Sequence, residues 1–173
     1  SPRHWVEHIS KIREIQRKTG GFTEFVPLGF VHYESPLYLN QDNVRPGPTA
    51  DENLKMHAIS RIMLNGWIDN IQASWVKLGP AYASKMLRAG VNDLGGTLMN
   101  ESITRSSGGK NGQEITPEQM QSLISNAGLT PFQRTTLYQT AQTRSSNVSH
   151  LPLADVIPVV AIEGNERIAG GFA

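Results

Sequence analysis

The chain contains no cysteine. Disulfides, thiolate-held metal ions and cysteine-ligated iron–sulfur clusters are therefore excluded for these residues acting alone. Long apolar runs are missing too: no stretch approaches the roughly 18 residues needed to span a bilayer. Basic runs are equally absent. Lys and Arg number 16 against 15 Asp and Glu, for a net charge of +1. The two signs are interspersed, so charge gives no reason to expect nucleic acid or a membrane surface as a partner. The opening Ser-Pro-Arg-His-Trp has no signal-peptide pattern, and the expected location is the cytoplasm. What is present is one ordinary domain's worth of chain, 173 residues of which 38% are hydrophobic, long enough to bury a sizeable core. It begins without Met and almost at once inside an amphipathic pattern, and is expected to be part of a longer protein.

Trp5, Ile9, Ile12 and Ile15 recur at spacings of four, three and three, which marks one face of a helix that Gly20-Gly21 stops. Glu24 to Val31 reads as a buried strand that Pro27 and Gly29 weaken. A polar, Pro-rich loop follows from His32 to Pro48. Thr49-x-x-Glu52 is a capping box opening a helix to Leu64, and Asn65-Gly66 ends it. The pattern then repeats. Ile68 to Ser74 is a short strand, Trp75 to Gly79 a turn, and Pro80 the first residue of a helix ending at Gly90. Val91 to Leu94 is a third strand. Thr116-Pro-Glu-Gln119 and Thr130-Pro-Phe-Gln133 each place a cap, a Pro and a Gln where a helix would start. Val156 to Ile162 is a candidate added strand.

This order argues for an α/β fold with parallel strands. Three parallel strands alone leave an edge open, so the arrangement is expected to be the C-terminal portion of a partial (β/α) barrel. Residues 1–138 form that half and residues 139–173 an extension. Ligands of such barrels meet the C-terminal ends of the strands. That selects His32, Gln72, Ser74, Gly95, Gly96, Thr97, Glu101 and Arg105. Each also has a purely structural reading: Gln72 and Ser74 satisfy loop backbone, Glu101 and Arg105 pair on one helix, and the glycines make a tight turn.

Three long stretches fall at these strand ends: Thr19-Gly-Gly-Phe-Thr-Glu-Phe-Val-Pro-Leu-Gly-Phe-Val-His32, Ile71-Gln-Ala-Ser-Trp-Val-Lys-Leu-Gly79 and Gly95-Gly-Thr-Leu-Met-Asn-Glu-Ser-Ile-Thr-Arg105. With His4-Trp-Val-Glu-His8 and Gln133-Arg-Thr-Thr-Leu-Tyr138, they resemble the C-terminal part of the CofH half of FO synthase, in the radical SAM superfamily. The resemblance covers residues 3–138.

The resemblance implies a partial barrel in which an iron–sulfur cluster, held by three cysteines, cleaves S-adenosylmethionine. L-tyrosine is then the radical substrate, and its hydroxybenzyl fragment joins 5-amino-6-(D-ribitylamino)uracil on the route to the deazaflavin FO. In that reading Gln72 and Ser74 orient the uracil or ribityl group, and Gly95, Gly96 and Thr97 contact ligand through backbone and hydroxyl. His32 donates to a carboxylate or ribityl group, Glu101 binds an amine or hydroxyl, and Arg105 engages a carboxylate. The cluster cysteines are absent here. The expected partners are accordingly the missing N-terminal half-barrel and, where fused, a CofG-type half, and the chain alone is expected to be inactive. The rivals are a menaquinone-pathway enzyme of the MqnC or MqnE type and a non-catalytic binding remnant.

Overall fold

The computed structural model describes residues 1–97, 102–111 and 114–139, together with the backbone of strand 159–163. Helix α1 (Pro2–Thr19) has Pro at its start, and ends where Gly20 adopts the left-handed conformation. Its apolar stripe lies against α3 (Ala50–Leu64). Ile9, Leu64 and Ile68 are buried there, with Ile12, Phe25, Met56, Ile59 and Met63 packed around them. The Thr49–Glu52 capping box forms as expected: Thr49 Oγ1 accepts from the Glu52 N–H at 3.2 Å, and Glu52 Oε2 accepts from the Thr49 N–H at 2.9 Å.

Strand β1 (Glu24–Phe25) pairs in parallel with β2 (Asn70–Ile71), Glu24 opposite Asn70 and Phe25 opposite Ile71. Gln72, just beyond β2, forms a parallel bridge to Asp93, the first residue of β3 (Asp93–Gly96). Between β1 and β2 the chain passes through a short helix, α2 (Pro36–Leu39), and then α3. Between β2 and β3 it passes through α4 (Trp75–Leu78), α5 (Pro80–Met86) and a 3-10 turn, Leu87–Ala89. Mixed helix and strand with parallel pairing is thus what the structure shows.

One face of the strands packs into the apolar core. Ile71, Ala73 and Leu94 lie in a core with Trp75, Val76, Ala83, Met86, Leu87, Val91, Ile115, Met120 and Ile124. Alternation sends Glu24, Gln72 and Asp93 to the other face. Arg61 of α3 clamps the approach to β2 and β3. Its Nε donates to the Gly90 carbonyl at 2.6 Å, its Nη1 to the Asp69 carbonyl at 2.9 Å and its Nη2 to Asn92 Oδ1 at 2.8 Å.

Three expectations need correction. The strand expected from Glu24 to Val31 pairs only at Glu24–Phe25; Pro27 has no N–H to give a ladder. The turn expected at Trp75 to Gly79 is the short helix α4, N-capped by Ser74. Thr130-Pro-Phe-Gln133 opens no helix. It forms β4 (Thr130–Arg134), paired antiparallel with β5 (Val159–Glu163), which in turn pairs antiparallel with β3. A capping signature is a weak local preference, and a ladder of five paired residues outweighs it. Pro131 is tolerated because β4 lies at the sheet edge. The analogous Thr116-Pro-Glu-Gln119 does start a helix, α7 (Pro117–Asn126). Between β3 and α7 the described residues include the short helix α6 (Ile103–Ser106). No helix among the described residues is long and apolar enough to cross a membrane.

His57 of α3 is fully buried. Its Nδ1–H donates to the Asn53 carbonyl at 2.7 Å, and among the described residues Nε2 has no partner. Burial holds its pKa below the ordinary 6.5. A lowered folded-state pKa means that the unfolded chain binds the extra proton first. Stability is then lost as pH falls below 6.5, and this contribution is flat above it. Urea unfolding at a series of pH values from about 5 to 7.5 is expected to show that rise, and His57→Leu is expected to flatten it.

Candidate functional site

The face opposite the core carries a connected set of polar side chains. Asp93, 1% exposed, forms an ion pair with Arg134, 6% exposed, Nε to Oδ2 at 2.5 Å. The other carboxylate oxygen, Oδ1, accepts from the Gly95 N–H at 2.7 Å. Burial pushes the Asp93 carboxyl up, while Arg134 and the Gly95 N–H pull against it. Arg134 Nη1 donates to the Thr135 carbonyl at 3.1 Å, and Nη2 lies 3.6 Å from Glu24 Oε2. The same Glu24 oxygen accepts from Gln72 Nε2 at 3.1 Å and from the Tyr138 hydroxyl at 2.5 Å. The Arg134 guanidinium sits 3.8 Å from the centroid of the Tyr138 ring. Burial, then the hydrogen bond to Glu24, pushes the Tyr138 phenol well above the usual tyrosine range. It is therefore a fixed hydrogen-bond donor. Tyr138 is also the one described non-glycine residue with a left-handed backbone, φ 60°.

The expected site residues divide. Gln72 and Gly95 meet within this set. Gly95 has φ +78°, and a Cβ built there would come 3.0 Å from Gln72 Oε1, so glycine is needed for both reasons. Gly96 contributes its carbonyl, which accepts from the Trp75 indole N–H at 3.0 Å. That bond seats Trp75 in the core, 2% exposed. Ser74 caps α4 without a side-chain bond to it. Thr97 follows β3 and is half-buried.

His32 lies apart from the carboxylates, in the loop after β1. Its Nδ1 accepts from the Gly47 N–H at 3.0 Å. Its ring lies 4.3 Å from that of Tyr33 and 4.8 Å, edge-on, from that of Tyr38. A Cβ at Gly47 would meet the Phe30 carbonyl oxygen at 1.9 Å, so that loop closes only over glycine. Arg105 is exposed in the last turn of α6. Beside it the buried Thr104 accepts from Lys77 Nζ at 2.8 Å, tying α6 to α4. Glu101 lies outside the described residues.

Against this geometry stands a family match. Residues 19–147 match the family described as the CofH/MqnC C-terminal region. The chain belongs to this family. It is 50% identical over 139 residues to the 5-amino-6-(D-ribitylamino)uracil–L-tyrosine 4-hydroxyphenyl transferase of Methanopyrus kandleri, covering 80% of this chain and 37% of that protein. It is 53% identical over 137 residues to the FO synthase of Mycobacterium leprae, covering 79% of this chain and 16% of that protein. The corresponding transferase of Methanocaldococcus jannaschii is 50% identical over 137 residues, 79% of this chain and 38% of that protein. The chain thus spans little more than a third of the transferases and about a sixth of the FO synthase.

The set built on this family's scaffold includes four residues that the sequence reading did not place in the site: Glu24, Asp93, Arg134 and Tyr138. Glu24 and Asp93 carried a signal, a charged residue inside an apolar strand. Arg134 and Tyr138 stand in the Gln133–Tyr138 stretch that carries the family resemblance, but they follow a segment that reads as a helix start, which gave no reason to place them beside the strand ends. Removing one member of a buried ion pair strands its partner. Arg134→Met is expected to cost about 3 kcal/mol in denaturant unfolding. Gly95→Ala, forced into a left-handed backbone, is expected to cost about 1–2 kcal/mol.

Proposed function

We propose that this chain is the substrate-binding, C-terminal part of a CofH-type radical SAM transferase, which joins the hydroxybenzyl group of L-tyrosine to 5-amino-6-(D-ribitylamino)uracil in FO synthesis. The observation that carries the reading is identity of about half the residues over four-fifths of the chain to proteins named for that transfer and for FO synthase. A menaquinone-pathway activity has no comparable support among these relatives.

The residues present do not fit the iron–sulfur cluster that the family implies. The chain has no cysteine, and the described residues contain no group of three or more His, Asp or Glu side chains arranged to hold a metal. The cluster and the cleavage of S-adenosylmethionine are assigned to the part of the relatives that this chain does not cover. No step of that chemistry is carried by residues here.

In this reading the strands belong to a partial barrel, residues 1–138 forming its C-terminal half and residues 139–173 an extension. The polar face of Glu24, Gln72, Asp93 and Arg134 then turns inward. Gln72 and Ser74 orient the uracil or ribityl group and Gly95, Gly96 and Thr97 contact ligand through backbone and hydroxyl, with His32 as a further donor and Glu101 as a carboxylate for an amine or hydroxyl. Arg105 supplies a guanidinium suited to a substrate carboxylate.

The test is reconstitution. The chain joined to the N-terminal segment of the Methanopyrus kandleri transferase, supplied with cluster, S-adenosylmethionine and reductant, is expected to consume L-tyrosine and 5-amino-6-(D-ribitylamino)uracil together. The chain by itself is expected to consume neither. Turnover by the chain alone, or a joined protein indifferent to the ribitylaminouracil, would overturn the proposal.

A further inference from the structure

We infer that Glu24 is a substrate-binding residue whose outward oxygen takes the α-ammonium group of the amino-acid substrate, and that Tyr138 and Gln72 are the residues that position it. The reading under Proposed function enters only in taking that amino acid to be L-tyrosine.

The asymmetry of Glu24 carries the argument. Two donors converge on Oε2, the Tyr138 hydroxyl at 2.5 Å and the Gln72 amide at 3.1 Å, and the Arg134 guanidinium forms a longer ion pair with it at 3.6 Å. No described residue donates to Oε1. A carboxylate in water would share its donors between both oxygens; here one is occupied, and among the described residues the other receives no donor. The Glu24 side chain remains 36% exposed, whereas Asp93 and Arg134 behind it are almost completely buried. Glu24, with the partly buried Gln72 and Tyr138, is therefore the accessible end of a network whose Asp93–Arg134 end is closed.

Charge selects the ligand. Two carboxylates, Glu24 and Asp93, face a single guanidinium in this set, so its formal balance is −1. A hydroxyl would satisfy Oε1 as an acceptor but leave that charge uncompensated in a half-buried setting. An ammonium supplies both the N–H donors and the missing positive charge. Purely structural bracing would need no such surplus, because Asp93 alone already neutralises Arg134.

Positioning follows from the same contacts. The Tyr138 ring is stacked under Arg134, and its hydroxyl and the Gln72 amide hold the same carboxylate oxygen. Gln72 is itself confined by the close approach of Gly95. Together they fix the Glu24 rotamer before any ligand arrives, which lowers the entropy cost of binding.

The inference is tested in the joined protein described above by measuring KM for each substrate separately. Glu24→Gln is expected to raise KM for L-tyrosine roughly tenfold or more, the loss of one charge-assisted hydrogen bond, with KM for the ribitylaminouracil unchanged. Tyr138→Phe is expected to raise it less, in the same substrate-selective way, and Glu24→Asp to recover part of the loss. A merely bracing role would instead lower the unfolding midpoint and leave the two KM values in their original ratio. That result, or a rise confined to the ribitylaminouracil, overturns the inference while wild-type turnover leaves the proposed transfer standing. If the wild-type protein makes no product, the proposed transfer fails, and calorimetry still decides the inference. L-tyrosine and tyramine should then bind the wild type, 3-(4-hydroxyphenyl)propionate should not, and Glu24→Gln should abolish the difference. Equal binding of all three overturns it.

Discussion

Asp93 holds this arrangement together. It begins β3, and its backbone joins the bridge that ties β3 to β2. Its side chain binds Arg134 from the far end of β4 and the N–H of Gly95 two residues on. One buried carboxylate thus fixes the left-handed turn at Gly95, the guanidinium, and through the guanidinium the Tyr138 ring and Glu24. Burying a carboxylate is costly unless donors replace the lost water. Here one of the donors, Arg134, lies 41 residues further along the chain, so the ion pair exists only if the strands have come together.

The two faces of the strands divide the labour. On one, Ile71, Ala73 and Leu94 meet the helices in a closely packed core, and Trp75 is locked there by the Gly96 carbonyl. On the other, short polar and charged residues are tied to one another rather than to solvent. Arg61 braces the chain as it enters β2 and β3, while Arg134 serves the polar face. The same side chain type is used once for stability and once inside a constellation that suits a ligand, and the difference lies in what surrounds it.

Much of the fold was legible because local signals were strong and mutually consistent. The 3.6-residue period of α1, the Thr49 and Thr116 capping boxes, Pro80 at a helix start and the glycines at helix ends all act over a few residues. Where the reading failed, a longer-range contact won. Thr130-Pro-Phe-Gln133 has the letters of a helix start, yet its backbone groups are taken by β5, which lies 26 or more residues further on. The Glu24 strand shrank because pairing requires a partner with matching donors, and Pro27 offers none.

The site was half legible. Composition and motif marked Gln72 and the Gly95-Gly96 pair, since glycine next to a strand end signals close backbone approach, and the family assignment came from the same letters. That Glu24, Gln72 and Asp93 share one face follows from the register of the paired strands. What the letters do not contain is that Arg134 and Tyr138 arrive on that face, that the Glu24 donors crowd one oxygen, and that His32 is spent on the Gly47 loop and two tyrosine rings. Those are facts of distance between residues far apart in the chain. Helix ends and buried stripes are set by neighbours within a turn or two, whereas a charged constellation is set by which strands lie side by side, and only the folded chain decides that.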